Sequence, residues 1–193
     1  MKYPCFLLAC LISLTAGSVM ASNEAAESRL KSSVDQVVTI AKEAKDRPNL
    51  IAKVQPVLEK ILDFQIMTRR AVGPGWRQFT PQQQKEATSL FTTLILRTYT
   101  AKFVPGEYPD VNYKTSSSPA PGRVEVPTTA QYKGSRYDVV YRLEDKGGWL
   151  ITDVVIEGVS LVANYRSQFD SEFKQGGVNA VLQALQRSVA ESK

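Results

Sequence analysis

Asp153 is the residue whose type and setting could most directly do chemistry. It is a lone carboxylate in Trp149-Leu150-Ile151-Thr152-Asp153-Val154-Val155-Ile156, a run otherwise apolar or β-branched. A carboxylate placed so can act as a general base, with a tyrosine as its acid partner. It can also be structural, bonded to backbone amides or to an arginine such as Arg142. The structural reading is preferred, because a charge among apolar neighbours needs a partner in any case. Ser160 follows the glycine that ends this stretch and has no identifiable base nearby. It reads as a helix cap, not a nucleophile.

The chain holds no histidine, and its only cysteines are Cys5 and Cys10. Zinc, haem, Cys–His and Ser–His–Asp chemistries are therefore deprived of their usual groups. No catalytic residue is assigned, and neither a metal nor another cofactor is expected.

Both cysteines lie in a segment with Lys2, an apolar run from Cys5 to Leu14, and small residues ending Val19-Met20-Ala21. That is the pattern of a secretory signal peptide cleaved after Ala21, and the run is too short to span a bilayer as a stable helix. Leu7-Leu8-Ala9-Cys10 is only loosely like a lipoprotein box. Lys2 leaves with the leader, so the net charge of +5 falls to +4 over residues 22–193. The excess is spread out, which argues against a nucleic-acid partner and for loose attraction to anionic membrane or protein surfaces. Residues 22–193 suffice for one domain burying roughly 70% of its unfolded surface. Without a disulfide, its core must hold it alone.

The elements that must position any site come in two blocks. From Ser22 to Lys45 the spacing predicts a helix with Leu30, Val34, Val37, Val38, Ala41 and Ala44 on one stripe. A second helix carries Leu50 to Leu62, with Pro56 expected to kink or divide it. Asp63 caps a short third helix ending before Gly73-Pro74-Gly75. Thr80-Pro81-Gln82-Gln83 is a capping signal for the most apolar helix, running to Phe103.

The period then changes. Weak alternation from Asp110 to Thr115 is followed by a loop over Ser116–Gly122, a strand over Val124–Tyr132, and a turn at Lys133-Gly134. In the next strand Tyr137, Val139, Tyr141 and Leu143 are expected to face in, with Arg136, Asp138, Arg142 and Glu144 facing out. Gly147-Gly148 turns the chain into Trp149–Ile156. Two helical pieces, Leu161–Phe169 and Val178–Val189, close it around Gly176-Gly177. This order gives an α+β domain, a curved antiparallel sheet covered by helices, whose conical interior can remain as an apolar cavity.

The residues that carry a family likeness are spread along this plan. They are Asp63-Phe64 through Val72-Gly73, Trp76-Arg77, Thr80-Pro81-Gln82-Gln83-Gln84, Gly148-Trp149, Asp153, Glu157-Gly158-Val159-Ser160 and Gly176-Gly177. In this order the chain resembles the MlaC family of periplasmic phospholipid carriers, also called toluene-tolerance or organic-solvent-resistance auxiliary proteins. Pro74-Gly75 departs from the bulkier residues usual in the family. The resemblance implies a nuclear-transport-factor-like cone with an added helical part. It also implies a soluble, monomeric, non-enzymatic periplasmic protein holding a diacyl phospholipid. Such a carrier would serve an outer-membrane lipoprotein–porin complex and an inner-membrane ABC transporter that together maintain outer-membrane lipid asymmetry. Another apolar lipid, such as a hopanoid, and an acid–base enzyme built on Asp153 are the competing readings.

On this resemblance the expected lipid-contacting residues are Phe64, Met67, Trp76, Leu90, Phe91, Leu94, Ile95, Tyr99, Phe103, Val139, Tyr141, Trp149, Ile151 and Val154. For each of them ordinary core packing is the alternative. Arg69, Arg70, Arg77, Arg97 and Lys102 are read as a solvated helix face, or else as contacts for a lipid phosphate or an acidic partner.

Overall fold

The computed structural model describes residues 15–192. Most of the expected leader, residues 1–14, lies outside the described residues. The first helix, α1, runs Thr15–Glu43, and α2 runs Arg47–Ile61. Asp46 starts α2 by accepting a hydrogen bond from the Asn49 amide at 2.8 Å. Pro56 does not divide α2, which continues through it. Its ring faces solvent, as does Ala52 four residues earlier, so water can satisfy the carbonyl that proline leaves unpaired.

Helix α3 (Phe64–Val72) is capped by Asp63, whose carboxylate accepts from the Ile66 amide at 2.9 Å. The Asp63 amide donates to the Ile151 carbonyl at 2.9 Å, which ties the start of α3 to the sheet. A 3-10 turn, Gly73–Gln78, leads to α4 (Pro81–Thr100), which opens with the full Thr80/Gln83 capping box. α4 ends three residues short of the expected Phe103, and turns follow it. α5 (Leu161–Glu191) is broken at Gly176 and Gly177, so its two limbs match the two expected pieces, the first extending beyond Phe169.

The strands are β1 (Asp110–Tyr113), β2 (Ser117–Ala120), β3 (Arg123–Tyr132), β4 (Ser135–Asp145), β5 (Trp149–Ile156) and β6 (Val159–Ser160). They form one antiparallel sheet in the order β1-β3-β4-β5-β6, with β2 pairing the remaining edge of β3. β2 falls where a loop was expected. The half of β3 that β1 does not cover recruits it, through Ser117 opposite Glu125 and Ala120 opposite Arg123. At the β4–β5 hairpin Gly147 has φ +79°, and the Asp145 carboxylate accepts from the Gly147 and Gly148 amides.

The β4–β5 register carries a bulge. Arg142 pairs with Asp153 but Leu143 pairs with Ile151, so Thr152 is the extra residue. The bulge turns Ile151 and Val154, three positions apart, to the same face as Tyr141 and Leu143. That face packs on Ala26 and Leu30 of α1 and Ile61 of α2. Helices α3, α4 and α5 form a second core of their own around Met67, Phe91, Phe169 and Leu185. The expected α+β plan, helices packed against one antiparallel sheet, is the observed one.

Two exposures in β4 differ from expectation. Glu144 alternates with Leu143 as expected but is only 7% exposed. It is tolerated there because Arg70, Arg123 and Lys146 place cations at 2.6, 3.2 and 3.6 Å. Tyr137, expected inward, is 40% exposed, being only three residues from the β3–β4 turn at Gly134.

Candidate functional site

An apolar cavity of about 190 Å³ lies between the sheet and the first two helices. α1 supplies Leu30, Ser33, Val34, Val37, Val38 and Ala41, and α2 supplies Val57, Leu58 and Ile61. Their spacing puts both sets on inward stripes, and the β-branched valines make stiff walls. The sheet contributes Val111, Ala130, Tyr141 and Ile151, one inward position from each of β1, β3, β4 and β5. Ser33 adds little polarity, because its hydroxyl donates to the Arg29 carbonyl of its own helix at 3.1 Å.

The segment after α4 forms the mouth, through Phe103, Glu107, Tyr108 and Pro109. It is fastened to α1 by the Gly106 amide, which donates to the Ala41 carbonyl at 2.8 Å. Tyr108 lines the cavity yet is 42% exposed, which marks the opening. The Lys42 ammonium sits 4.6 Å above its ring centre.

Glu107 is the one charged residue among the lining groups. Its Oε2 accepts from the Tyr132 hydroxyl and pairs with the Lys133 ammonium at 2.8 Å. The Lys133 and Tyr132 bonds hold the Glu107 carboxyl below the usual glutamate range, so it is ionised at neutral pH. Further in, burial pushes the Tyr141 hydroxyl above its ordinary value and keeps it neutral. Tyr113, in the same sheet-face cluster, is raised by burial first and by Tyr141 and Asp35 next. Its buried hydroxyl has no hydrogen-bond partner among the described residues.

This arrangement can hold an apolar chain in a dry interior and keep a polar end at a charged rim. It offers no nucleophile with a base beside it. Asp153, the candidate base, does not line the cavity. Its Oδ2 accepts from Arg142 at 3.0 Å and from Ser160 at 2.6 Å, and its Oδ1 accepts from the Val162 amide at 3.1 Å. The carboxylate is structural. Ser160 is likewise a cap, accepting from the Ala163 amide at 3.0 Å.

Of the expected lining residues, the structure places Phe103, Tyr141 and Ile151 on the cavity. Trp149 and Val154 pack in the same sheet-face cluster without lining it. Val139 is buried in β4, opposite Thr128 and Ile156. Phe64, Met67, Trp76, Leu90, Phe91, Leu94, Ile95 and Tyr99 belong to the other core, against α5. Phe91 meets Tyr165 and Phe169 edge to face, with ring centres 5.1 and 6.2 Å away. The most apolar helix thus packs into a core of its own, in which α5 places aromatics beside it. α1, α2 and Tyr108 form the walls that sequence reasoning did not assign. Their only signal was the valine-rich stripe of α1, which reads the same for a core as for a cavity.

Comparison with known proteins bears on this architecture. The family model described as MlaC protein matches residues 31–187. Among solved structures, a phospholipid-binding protein from Ralstonia solanacearum, determined in complex with a phospholipid, is 31% identical. It superimposes with a TM-score of 0.78 over 86% of this chain and 98% of its own. No curated protein matches the chain. The chain belongs to the MlaC family.

Proposed function

We propose that this protein binds a diacyl phospholipid by its acyl chains and carries it through the periplasm without chemical change. The observation that carries this reading is the apolar cavity beneath α1 and α2, open at Tyr108. The likeness to a protein solved with a phospholipid supports it.

The cavity of about 190 Å³ is smaller than the roughly 300–1,000 Å³ of ordinary ligand sites. Two chains therefore enter only as α1 and α2 move away from the sheet. About thirty buried methylenes gain on the order of 20 kcal/mol, more than enough to offset that opening. A lipid held so well leaves into water too slowly to be useful. Release belongs to a docked state, in which a partner spreads the same helices or offers an equal apolar path. An inner-membrane ABC transporter and an outer-membrane lipoprotein–porin complex are the partners in this reading, and upkeep of outer-membrane asymmetry is the outcome.

The test is uptake by delipidated protein from labelled phospholipid vesicles, separated and counted. About one lipid per protein is expected. No uptake rejects the carrier role.

A further inference from the structure

The mouth of the cavity presents an acceptor and a donor that the protein itself leaves open. Both protein partners of Glu107, the Tyr132 hydroxyl and the Lys133 ammonium, engage the same oxygen, Oε2. The structure gives Oε1 no partner among the described residues, although a carboxylate can accept on both oxygens. Lys42, on α1, stacks on Tyr108 and makes no ion pair among the described residues. Glu107 and Tyr108 both line the cavity, so an apolar chain that enters brings its polar end to this rim.

A bare basic rim would suit any phosphate, but an ionised carboxylate repels one. The pairing makes sense for a headgroup that carries both signs. Resting on the carrier reading, we propose that the rim selects a phosphoethanolamine headgroup, with its primary ammonium on Glu107 Oε1 and its phosphate facing Lys42. A choline headgroup carries the same charges but has no N–H to donate. A glycerol headgroup can donate from hydroxyls but lacks the positive charge that strengthens the bond. Lys133 is 59% exposed in its side chain, so its pair with Glu107 is weak and can yield to the lipid.

The experiment is competitive loading of the mature protein from vesicles holding phosphatidylethanolamine, phosphatidylcholine and phosphatidylglycerol in equal amounts with matched chains. Extracted lipids are quantified by mass. The wild-type protein should enrich the ethanolamine lipid by about threefold or more over the choline lipid, the scale of one charge-assisted bond at a wet rim. Glu107→Gln should bring that ratio to about one, and a circular dichroism spectrum and unfolding midpoint matching the wild type would show that the variant is folded. Lys42→Gln should lower loading of all three phospholipids relative to a diacylglycerol probe. Wild-type loading in the input ratio, or a ratio untouched by Glu107→Gln, overturns this inference alone. Failure of every lipid to load overturns the carrier reading, and this inference with it.

Discussion

The Ser160 hydroxyl donates to Asp153 Oδ2 at 2.6 Å, and so fastens the first turn of α5 to the middle of β5. The same serine caps α5 at the Ala163 amide, while Asp153 Oδ1 takes the Val162 amide. One buried carboxylate thereby joins the sheet to the helix that completes the second core.

Asp153→Ala should therefore destabilise the fold by about 3 kcal/mol, since it leaves the Val162 amide and the Ser160 hydroxyl without their acceptor. Asp153→Asn, which keeps an acceptor but loses the Arg142 pair, should cost less, about 1–2 kcal/mol. Urea unfolding measures both. Lipid loading per folded molecule should match the wild type in each, whereas a functional Asp153 would lose loading or activity at full stability.

Glu144 gives a pH signature. Burial alone would raise its carboxyl, but the Arg70 hydrogen bond and the charges of Arg70, Arg123 and Lys146 outweigh that and hold it below the usual glutamate range. Its folded value lies below its unfolded one, about 4.3, so its contribution is complete above that pH and is lost as the pH falls through the folded value. Thermal melts of the wild type should thus fall from about pH 4 downward. Glu144→Gln should be less stable by about 1–3 kcal/mol at neutral pH and show a smaller fall on acidification. Equal pH slopes in the two proteins would refute the assignment.

Gly73 has φ +72°, and a Cβ there would lie 2.1 Å from the Arg166 guanidinium carbon. Arg166 is held in place by Asp170 at 3.1 Å and by the Arg70 carbonyl at 3.4 Å. Gly73→Ala should therefore cost about 2 kcal/mol or more, from backbone strain and displacement of Arg166 together. A double variant adding Arg166→Ala should remove the steric part and leave the strain. Chemical denaturation of the set tests this, and an unaltered midpoint in Gly73→Ala would contradict it.

The position of the cavity can be separated from the position of the second core. Ala130→Phe fills the space between sheet and α1, and should abolish most lipid uptake while costing about 1–3 kcal/mol through overpacking. Phe91→Ala empties the core against α5, and should cost about 3–5 kcal/mol while uptake per folded molecule survives. Paired uptake and unfolding measurements decide. The reverse pattern would put the lipid beside α4.

The fold was largely legible because its signals are local. Asp46, Asp63, Thr80 and Ser160 each satisfy backbone amides within three residues, and the turns at Lys133-Gly134 and Gly147-Gly148 need only their own backbone angles. The site was legible only where a residue could face one way. Phe103, Tyr141 and Ile151 lie on the cavity wall, but helix periodicity cannot say whether an apolar face meets a neighbour or a void. The difference between α1 and α4 lies in α5, whose Tyr165 and Phe169 fill the space beside Phe91. Between the valines of α1 and the sheet lies the cavity. The bulge at Thr152 was equally hidden, because it exists only in the pairing of two strands.

The central claim, that the space beneath α1 and α2 holds a phospholipid, is tested most directly by native mass spectrometry of the purified protein, followed by organic extraction. The account predicts a stoichiometric adduct of diacyl phospholipid mass, released as intact lipid. A protein that is bare as purified, and stays bare after incubation with phospholipid vesicles, would contradict it.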